Sequence, residues 1–102
     1  MIAFTVCYKS GIRFDADYYS KKHLPLVAEK LRPHGMKDAE VRKILGTPTG
    51  TQAAYQLIAT LYFDDVAALE KALESPDGQV VVADIQNFYG GEPDLMIGEV
   101  LA

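Results

Sequence analysis

The histidine at position 23 is the residue of this chain best suited to chemistry, because the residues predicted to share its helical face are apolar or aromatic. An imidazole changes its charge near neutral pH, and burial in an apolar cavity moves its pKa and excludes competing water. Such a group can act as a general base or acid in proton abstraction, isomerisation or decarboxylation, and these reactions need no cofactor. His23 is therefore a candidate catalytic residue.

The element that positions His23 is predicted to be an amphipathic helix over residues 15–31 that begins at the N-cap Asp15. At about 100° per residue, one arc of this helix holds Ala16, Tyr19, His23, Leu26 and Val27. Tyr19 lies one turn before His23, so we expect it to be a second catalytic residue that orients the substrate or polarises a carbonyl. Pro25 cannot donate a backbone hydrogen bond, which predicts a bend in the helix beside the histidine.

Structural interpretations of these side chains stay open on the residues alone. His23 can be read as a core histidine bonded to a backbone carbonyl, and the two tyrosines before it as packing residues with their hydroxyls at a pocket edge. Asp84 shares a predicted helical face with apolar residues, which suggests a carboxylate near the core. The competing interpretation of Asp84 is a capping or solvent-facing residue, because an unpaired Asp is rarely buried.

The remaining pattern predicts one α+β domain over residues 1–102. Alternation of apolar and polar residues predicts strands over residues 2–9, 37–45, 54–63 and 94–101. Asp64 or Asp65 is expected to cap a second helix. Ser75-Pro76 is expected to begin a short extra helix before the last strand, although the valines at 80–82 favour a strand by propensity. The order βαββαβ, with that extra helix, is ferredoxin-like.

Composition and charge narrow the possible partners. The net charge of −4 and the pI near 5.0 argue against nucleic acid or an anionic membrane as the main partner, because both favour a basic surface. The start of the chain has no positively charged leader region, and its longest apolar run is far shorter than the roughly 20 residues that a membrane span needs. We expect a soluble, cytoplasmic protein.

The residues that bind metals and cofactors are sparse. One cysteine, Cys7, with two histidines provides no metal-ligand cluster at a recognised spacing, and we interpret Cys7 as a small buried residue. No glycine-rich phosphate loop or dinucleotide fingerprint is present, which argues against a nicotinamide-dependent dehydrogenase. We therefore expect no metal and no cofactor.

Several motifs resemble those of the EthD family. They are Tyr18-Tyr19 followed by His23-Leu24-Pro25-Leu26, then Ala83-Asp84-Ile85, Asn87-Phe88 and the closing segment over residues 93–100. The resemblance implies a ferredoxin-like fold that dimerises through its sheets into a dimeric α+β barrel. It does not imply a single reaction, because members and relatives are linked to ether degradation, lactone isomerisation, polyketide cyclisation or decarboxylation, and cofactor-free oxidation.

Residues and resemblance together predict a cavity between helix and sheet that binds a small apolar, oxygenated or aromatic metabolite. We expect a cofactor-independent oxidoreductase, isomerase or lyase with His23 as acid or base. The expected substrate-binding residues are Tyr18, Tyr62, Asp84 and Phe88. The alternative is a non-catalytic binding or accessory protein of a degradation or biosynthetic pathway. A third possibility, haem degradation on the same fold, requires an axial ligand and a haem-sized cavity.

The strand predicted over residues 54–63 has substantially apolar side chains on both faces. A strand of this kind is typically covered on both sides, and one layer of helices covers only one of them. We therefore expect a homodimer in which the sheet face opposite the helices packs against its partner.

Overall fold

Four antiparallel strands form the sheet on which the rest of this computed structural model, which describes all 102 residues, is built. The strands are β1 (Ile2–Lys9), β2 (Asp38–Lys43), β3 (Tyr55–Phe63) and β4 (Asp94–Glu99), in the spatial order β2-β3-β1-β4. With helices between β1 and β2 and between β3 and β4, the chain has the ferredoxin-like α+β fold that the sequence predicts.

The first helix spans residues 16–31 in three consecutive parts: α1 (Ala16–Tyr18), a π-helical turn (Tyr19–His23) and α2 (Leu24–Leu31). Asp15 caps it as predicted, because its carboxylate accepts a hydrogen bond from the backbone N–H of Tyr18 at 3.0 Å. In the π-helical turn, the N–H of Leu24 donates to the carbonyl of Tyr19, five residues earlier. The irregularity that Pro25 predicts therefore takes the form of a π-helical turn just before the proline.

This turn corrects one detail of the predicted helical arc. A π-helical turn contains more residues than an α-helical turn, so it changes the phase of every residue that precedes it. Ala16, which a regular helix would place on the buried arc, is exposed, whereas His23 and Val27 are buried as expected.

Two further helices, α3 (Val66–Glu74) and α4 (Pro76–Asp84), follow β3 and meet at Ser75. Ser75 ends α3 and caps α4, its hydroxyl accepting from the N–H of Gly78 at 3.0 Å. A Cβ on Gly78 would collide with the backbone carbonyls at the end of α3, so the corner requires glycine at this position. The cap and the burial of Val81 explain why this segment is helical despite its run of valines.

The helices cover one face of the sheet only. Side chains of β1 and β3 alternate between the faces, and Phe4, Val6, Leu61 and Phe63 pack with the helices in the main core. Thr5, Ile58 and Tyr62 lie on the opposite face, which no helix covers.

Short 3₁₀ turns, Arg32–His34 and Ile85–Asn87, follow α2 and α4. No helix in the chain has both the length and the apolar character that crossing a bilayer demands.

Candidate functional site

A cavity of about 670 Å³ lies between the sheet, the first helix and α4, in the position that the sequence predicts. Of its 25 lining residues 19 are hydrophobic, and the polar residues Arg32, Gln86 and Glu92 are exposed, so they belong to the opening and not to the interior. The polar groups that remain inside belong to His23 and to the tyrosines Tyr8 and Tyr19. This volume and lining suit a small organic molecule that is mostly apolar.

His23 is paired with Asp84, the last residue of α4. His23 Nδ1 lies 2.9 Å from Asp84 Oδ2, and the histidine is only 4% exposed. The other carboxylate oxygen, Oδ1, accepts hydrogen bonds from the hydroxyl of Tyr18 at 2.6 Å and from the amide of Asn87 at 3.0 Å. Asp84 is therefore a carboxylate near the core that three side chains bind, which is the functional alternative that the sequence left open.

The charge of Asp84 follows from these contacts. Burial by itself raises the pKa of a carboxyl group, but the hydrogen bonds from Tyr18, His23 and Asn87 outweigh it and hold the pKa of Asp84 below its usual 3.8. Because the carboxylate is ionised near neutral pH, it can only accept a hydrogen bond. Nδ1 of His23 must then carry the proton and donate, which leaves the lone pair on Nε2.

The π-helical turn explains why Tyr18 and His23 reach the same carboxylate. Residues five apart in a regular α-helix point about 140° away from each other. In a π-helical turn the backbone hydrogen bond itself spans five residues, so residues five apart return to nearly the same side. The turn between Tyr18 and His23 therefore directs both side chains toward Asp84.

The second ring nitrogen of His23 is free. Nε2 makes no hydrogen bond within the protein. Because every fully inaccessible side-chain nitrogen or oxygen in the chain has a partner, the unpaired Nε2 must keep some accessible surface. Because the residue is buried and lines the cavity, we infer that this atom faces the cavity. Burial lowers the pKa of His23 below its ordinary 6.5, although the hydrogen bond with Asp84 opposes this shift. At neutral pH the site therefore presents a neutral imidazole with a basic nitrogen in an apolar cavity.

Aromatic rings fix the imidazole plane. The ring of Tyr19 is stacked on His23 with ring centroids 5.5 Å apart. The ring centroid of Phe88 lies 4.4 Å from that of the imidazole. Tyr19 lines the cavity, as expected of a residue next to a ligand. Phe88 is fully buried and does not line the cavity. Tyr18 and Asp84 are only partly buried, and they do not line the cavity either, because they lie behind the histidine. These three residues are placed to orient His23 and not to touch a ligand.

The predicted placement of Tyr62 at the substrate is wrong for this cavity. In the sheet register Tyr62 pairs with Ala3, while its neighbours Leu61 and Phe63 face the helices. Since successive strand residues point to opposite faces, the Tyr62 side chain lies on the uncovered face of the sheet. It does not line the cavity.

Two residues of the site were missed in the sequence. Asn87, which the sequence offers only as part of the Asn87-Phe88 motif, donates to the carboxylate of Asp84. Tyr8 belongs to the strand predicted over residues 2–9, and it lines the cavity beside Tyr19, with ring centroids 5.8 Å apart. A tyrosine on the helix-facing side of a predicted strand was the available signal for Tyr8. No group of three or more His, Cys, Asp or Glu side chains in the chain is placed to hold a metal ion.

Comparison with known proteins agrees with this architecture. An uncharacterized 11.0 kDa protein from the thcB-thcC intergenic region of Rhodococcus erythropolis is 33% identical over 75 residues, which cover 74% of this chain and 69% of that protein. The crystal structure of an ethyl tert-butyl ether D (EthD) family protein from Bacillus halodurans C-125 superposes with a TM-score of 0.83 at 28% identity, covering 99% of each chain.

A more distant structure has the same fold. SnoaB, described as a cofactor-independent oxygenase from Streptomyces nogalater, superposes with a TM-score of 0.75, covering 99% of this chain and 93% of SnoaB. At 8% identity this likeness concerns the fold alone. The EthD domain model matches residues 13–92, a span that holds His23, Asp84 and Asn87. With a match over well more than half of its length, the chain belongs to the EthD family.

Proposed function

We propose that this protein is a cofactor-independent enzyme that moves a proton to or from a small apolar, oxygenated or aromatic metabolite, with His23 as the base and then the acid. One observation carries the proposal: His23 Nδ1 is held by Asp84, while Nε2 has no partner in the protein and the residue lines an apolar cavity. A general base needs a lone pair directed at the substrate and a pKa near the working pH, and a neutral buried imidazole provides both.

In this proposal the residues behind His23 have positioning roles. Asp84 fixes the tautomer of the imidazole and stabilises the imidazolium that forms when Nε2 takes a proton. Tyr18 and Asn87 hold the carboxylate so that it cannot turn away from Nδ1. Phe88 and the ring of Tyr19 keep the imidazole plane directed at the cavity.

The fate of the deprotonated substrate decides the reaction class. Return of the proton to another carbon is an isomerisation, loss of a leaving group is a lyase reaction, and reaction of the carbanion with dioxygen is a cofactor-independent oxidation. Membership of the EthD family supports chemistry of this kind, and SnoaB, a cofactor-independent oxygenase, has the same fold. Proton removal from carbon is the step common to all three.

The test is exchange of substrate hydrogen for deuterium. A panel of neutral apolar ketones and lactones is incubated with the protein in D₂O, and deuterium at the carbon next to the carbonyl is followed by NMR. We expect catalysed exchange in at least one compound and its loss in His23→Gln. Compounds that bind in the cavity but never exchange above the uncatalysed rate would overturn the proposal and favour the non-catalytic binding protein.

We also propose that two copies of the chain associate through the uncovered sheet face. That face carries Ile58 and Tyr62 of β3 and, on the other side of β1, Met96 of β4, which is 53% exposed; no element of the same chain covers them. An apolar sheet face of this kind is expected to pack against another surface. Light scattering at micromolar concentration should give the mass of a dimer, and a Met96→Glu variant should shift it toward the monomer. A monomeric wild-type protein would contradict this proposal.

A further inference from the structure

The hydroxyl groups of Tyr8 and Tyr19 are the other polar groups inside the cavity besides the imidazole of His23. The two tyrosines are only 2% and 3% exposed, and both line the cavity. Neither hydroxyl makes a hydrogen bond to the protein, in contrast to Tyr18, Tyr55 and Tyr89, whose hydroxyls are all paired. Burial of an unpaired hydroxyl is costly, so two such groups in one apolar cavity require an explanation.

Both hydroxyls face open space. Every completely inaccessible side-chain oxygen in the chain has a hydrogen-bond partner. The unpaired oxygens of Tyr8 and Tyr19 must therefore keep some accessible surface, and in these buried residues that surface belongs to the cavity. The two rings that carry them are in edge-to-face contact, with centroids 5.8 Å apart, and burial raises the pKa of Tyr8. Burial raises the pKa of Tyr19 as well, so both groups are protonated and able to donate at any physiological pH.

We propose that the hydroxyls of Tyr8 and Tyr19 form a two-donor site for the oxygen of a neutral carbonyl, and that they stabilise the enolate formed when His23 removes the adjacent proton. This inference rests on the proposed function and deepens it, since it names Tyr8 as a further catalytic residue and specifies the substrate class. The substrate is an apolar ketone, ester or lactone that carries a hydrogen on the carbon next to the carbonyl.

The chemical step is balanced without an oxidant. The C–H bond breaks, its proton moves to Nε2 of His23, and its electron pair forms a C=C bond while the carbonyl π pair moves to oxygen. The enolate oxygen then accepts hydrogen bonds from the two tyrosines. Donors aimed at the atom on which charge develops lower the barrier, and they do so most strongly where water is excluded. The imidazolium returns its proton to carbon, at the same or a conjugated position.

The charges around the cavity favour a neutral substrate. The carboxylate of Asp84 lies directly behind His23, and no cationic side chain lines the interior. Arg32 is the one cationic residue among those that line the cavity, and because it is exposed we assign it to the opening. A carboxylate placed near Tyr8 and Tyr19 would be desolvated without a counter-ion, which is costly, whereas a carbonyl would gain two hydrogen bonds.

A binding experiment tests the donor pair without requiring turnover. The probe is 2-naphthol, an apolar phenol whose oxygen resembles that of an enolate and whose fluorescence distinguishes the neutral from the ionised form. We expect its Kd to rise about tenfold in Tyr8→Phe and in Tyr19→Phe, the effect of losing one hydrogen bond to a charged or partly charged oxygen. Naphthalene, which has no hydroxyl, should bind all variants alike, and Tyr62→Phe on the uncovered face is the matched control.

The outcomes separate the two proposals. Loss of deuterium exchange in His23→Gln, with wild-type exchange and naphthol affinity in both Tyr8→Phe and Tyr19→Phe, would overturn the donor pair and leave the proposed function standing. Tighter naphthol binding by wild type than by either tyrosine variant, with no exchange of any carbonyl compound, would support the donor pair and contradict the proposed function. If Tyr8→Phe does not fold, Tyr19→Phe carries the same measurement.

Discussion

The chain contains two histidine–aspartate pairs that differ in surroundings although their nitrogen–oxygen distances are nearly equal. His23 lies 2.9 Å from Asp84, and His34 lies 3.0 Å from Asp77. Both pairs connect α4 with the first helix or the 3₁₀ turn that follows it. The side chains of the first pair are 5% and 12% exposed, and those of the second pair are 33% and 41% exposed.

The difference shows that a residue pair does not define a site by itself. In the buried pair the imidazole bonds through Nδ1 and its Nε2 faces an apolar cavity. In the exposed pair Nε2 itself is engaged by Asp77, and Lys30 lies 3.6 Å from the same carboxylate. The hydrogen bond from His34 lowers the pKa of Asp77, as expected of a solvated ion pair on a surface. Only the first pair combines a fixed tautomer, exclusion of water and a free lone pair.

The largest expected effect is on catalysis. His23→Gln should lower the rate of deuterium exchange by about 100-fold or more, the usual contribution of a general base. His34→Gln, the same substitution in the exposed pair, should leave the rate unchanged because this residue does not line the cavity. Rates are measured by NMR at fixed substrate concentration with both variants. Equal losses in the two variants would show that the comparison has no functional meaning.

Stability should also separate the pairs. Asp84→Ala leaves the buried Nδ1–H of His23 without an acceptor, which we expect to cost about 1–3 kcal/mol of unfolding free energy. Asp77→Ala should cost less, because exposed ion pairs contribute little. Urea unfolding of the two variants measures the difference. A larger loss in Asp77→Ala than in Asp84→Ala would contradict the role assigned to burial.

The dependence of stability on pH gives a smaller, signed effect. The pKa of His23 is lowered in the folded protein, so the unfolded chain binds a proton on this residue at a higher pH than the folded chain. The free energy of unfolding should therefore fall as the pH drops from about 7 toward 5, through the ordinary pKa of 6.5. The lowered pKa values of Asp77 and Asp84 add losses only near and below 3.8.

Two variants check this assignment. Urea unfolding at several pH values should show a shallower decline between pH 7 and pH 5 in His23→Gln than in the wild type. Asp77→Asn should keep the wild-type slope in that interval and change it only in stronger acid. A wild-type slope in His23→Gln would mean that other groups cause the decline.

The smallest expected effect comes from the hydroxyl of Tyr18. Tyr18→Phe removes one of the hydrogen bonds that lower the pKa of Asp84. This pKa should therefore rise, because the remaining hydrogen bonds offset less of the effect of burial, which raises it. Carboxyl carbon NMR of Asp84 measures the shift. Tyr55→Phe is a matched control, because Tyr55 donates at 2.7 Å to Asp94 and not to Asp84. An unchanged Asp84 titration in Tyr18→Phe would contradict the proposed network.

Local periodicity explains what could be predicted from the sequence. The strands, the caps Asp15 and Ser75, and the contact between Tyr19 and His23 all follow from residues close together in the chain. The pairing of His23 with Asp84 joins positions 61 residues apart, and the sequence predicts only that each of them shares a helical face with apolar residues.

The errors have tertiary or helical causes. Tyr62 was expected at the substrate, but the strand alternation places it on the uncovered face. Tyr8 was not singled out, because nothing in its neighbourhood along the chain distinguishes it from a packing residue. The role of Tyr18 depends on a π-helical turn, which a constant 100° per residue cannot represent.

The π-helical turn makes the site sensitive to chain length as well as to side-chain identity. A substitution between Tyr18 and His23 changes one side chain, whereas deletion of Ser20 would restore a regular helix and rotate all preceding residues by about 100°. The histidine would still face the cavity, but Tyr18 would leave Asp84 and Ala16 would turn inward. In sequence alignments, a gap inside this helix therefore distinguishes chains that keep only the histidine from chains that can also clamp its carboxylate.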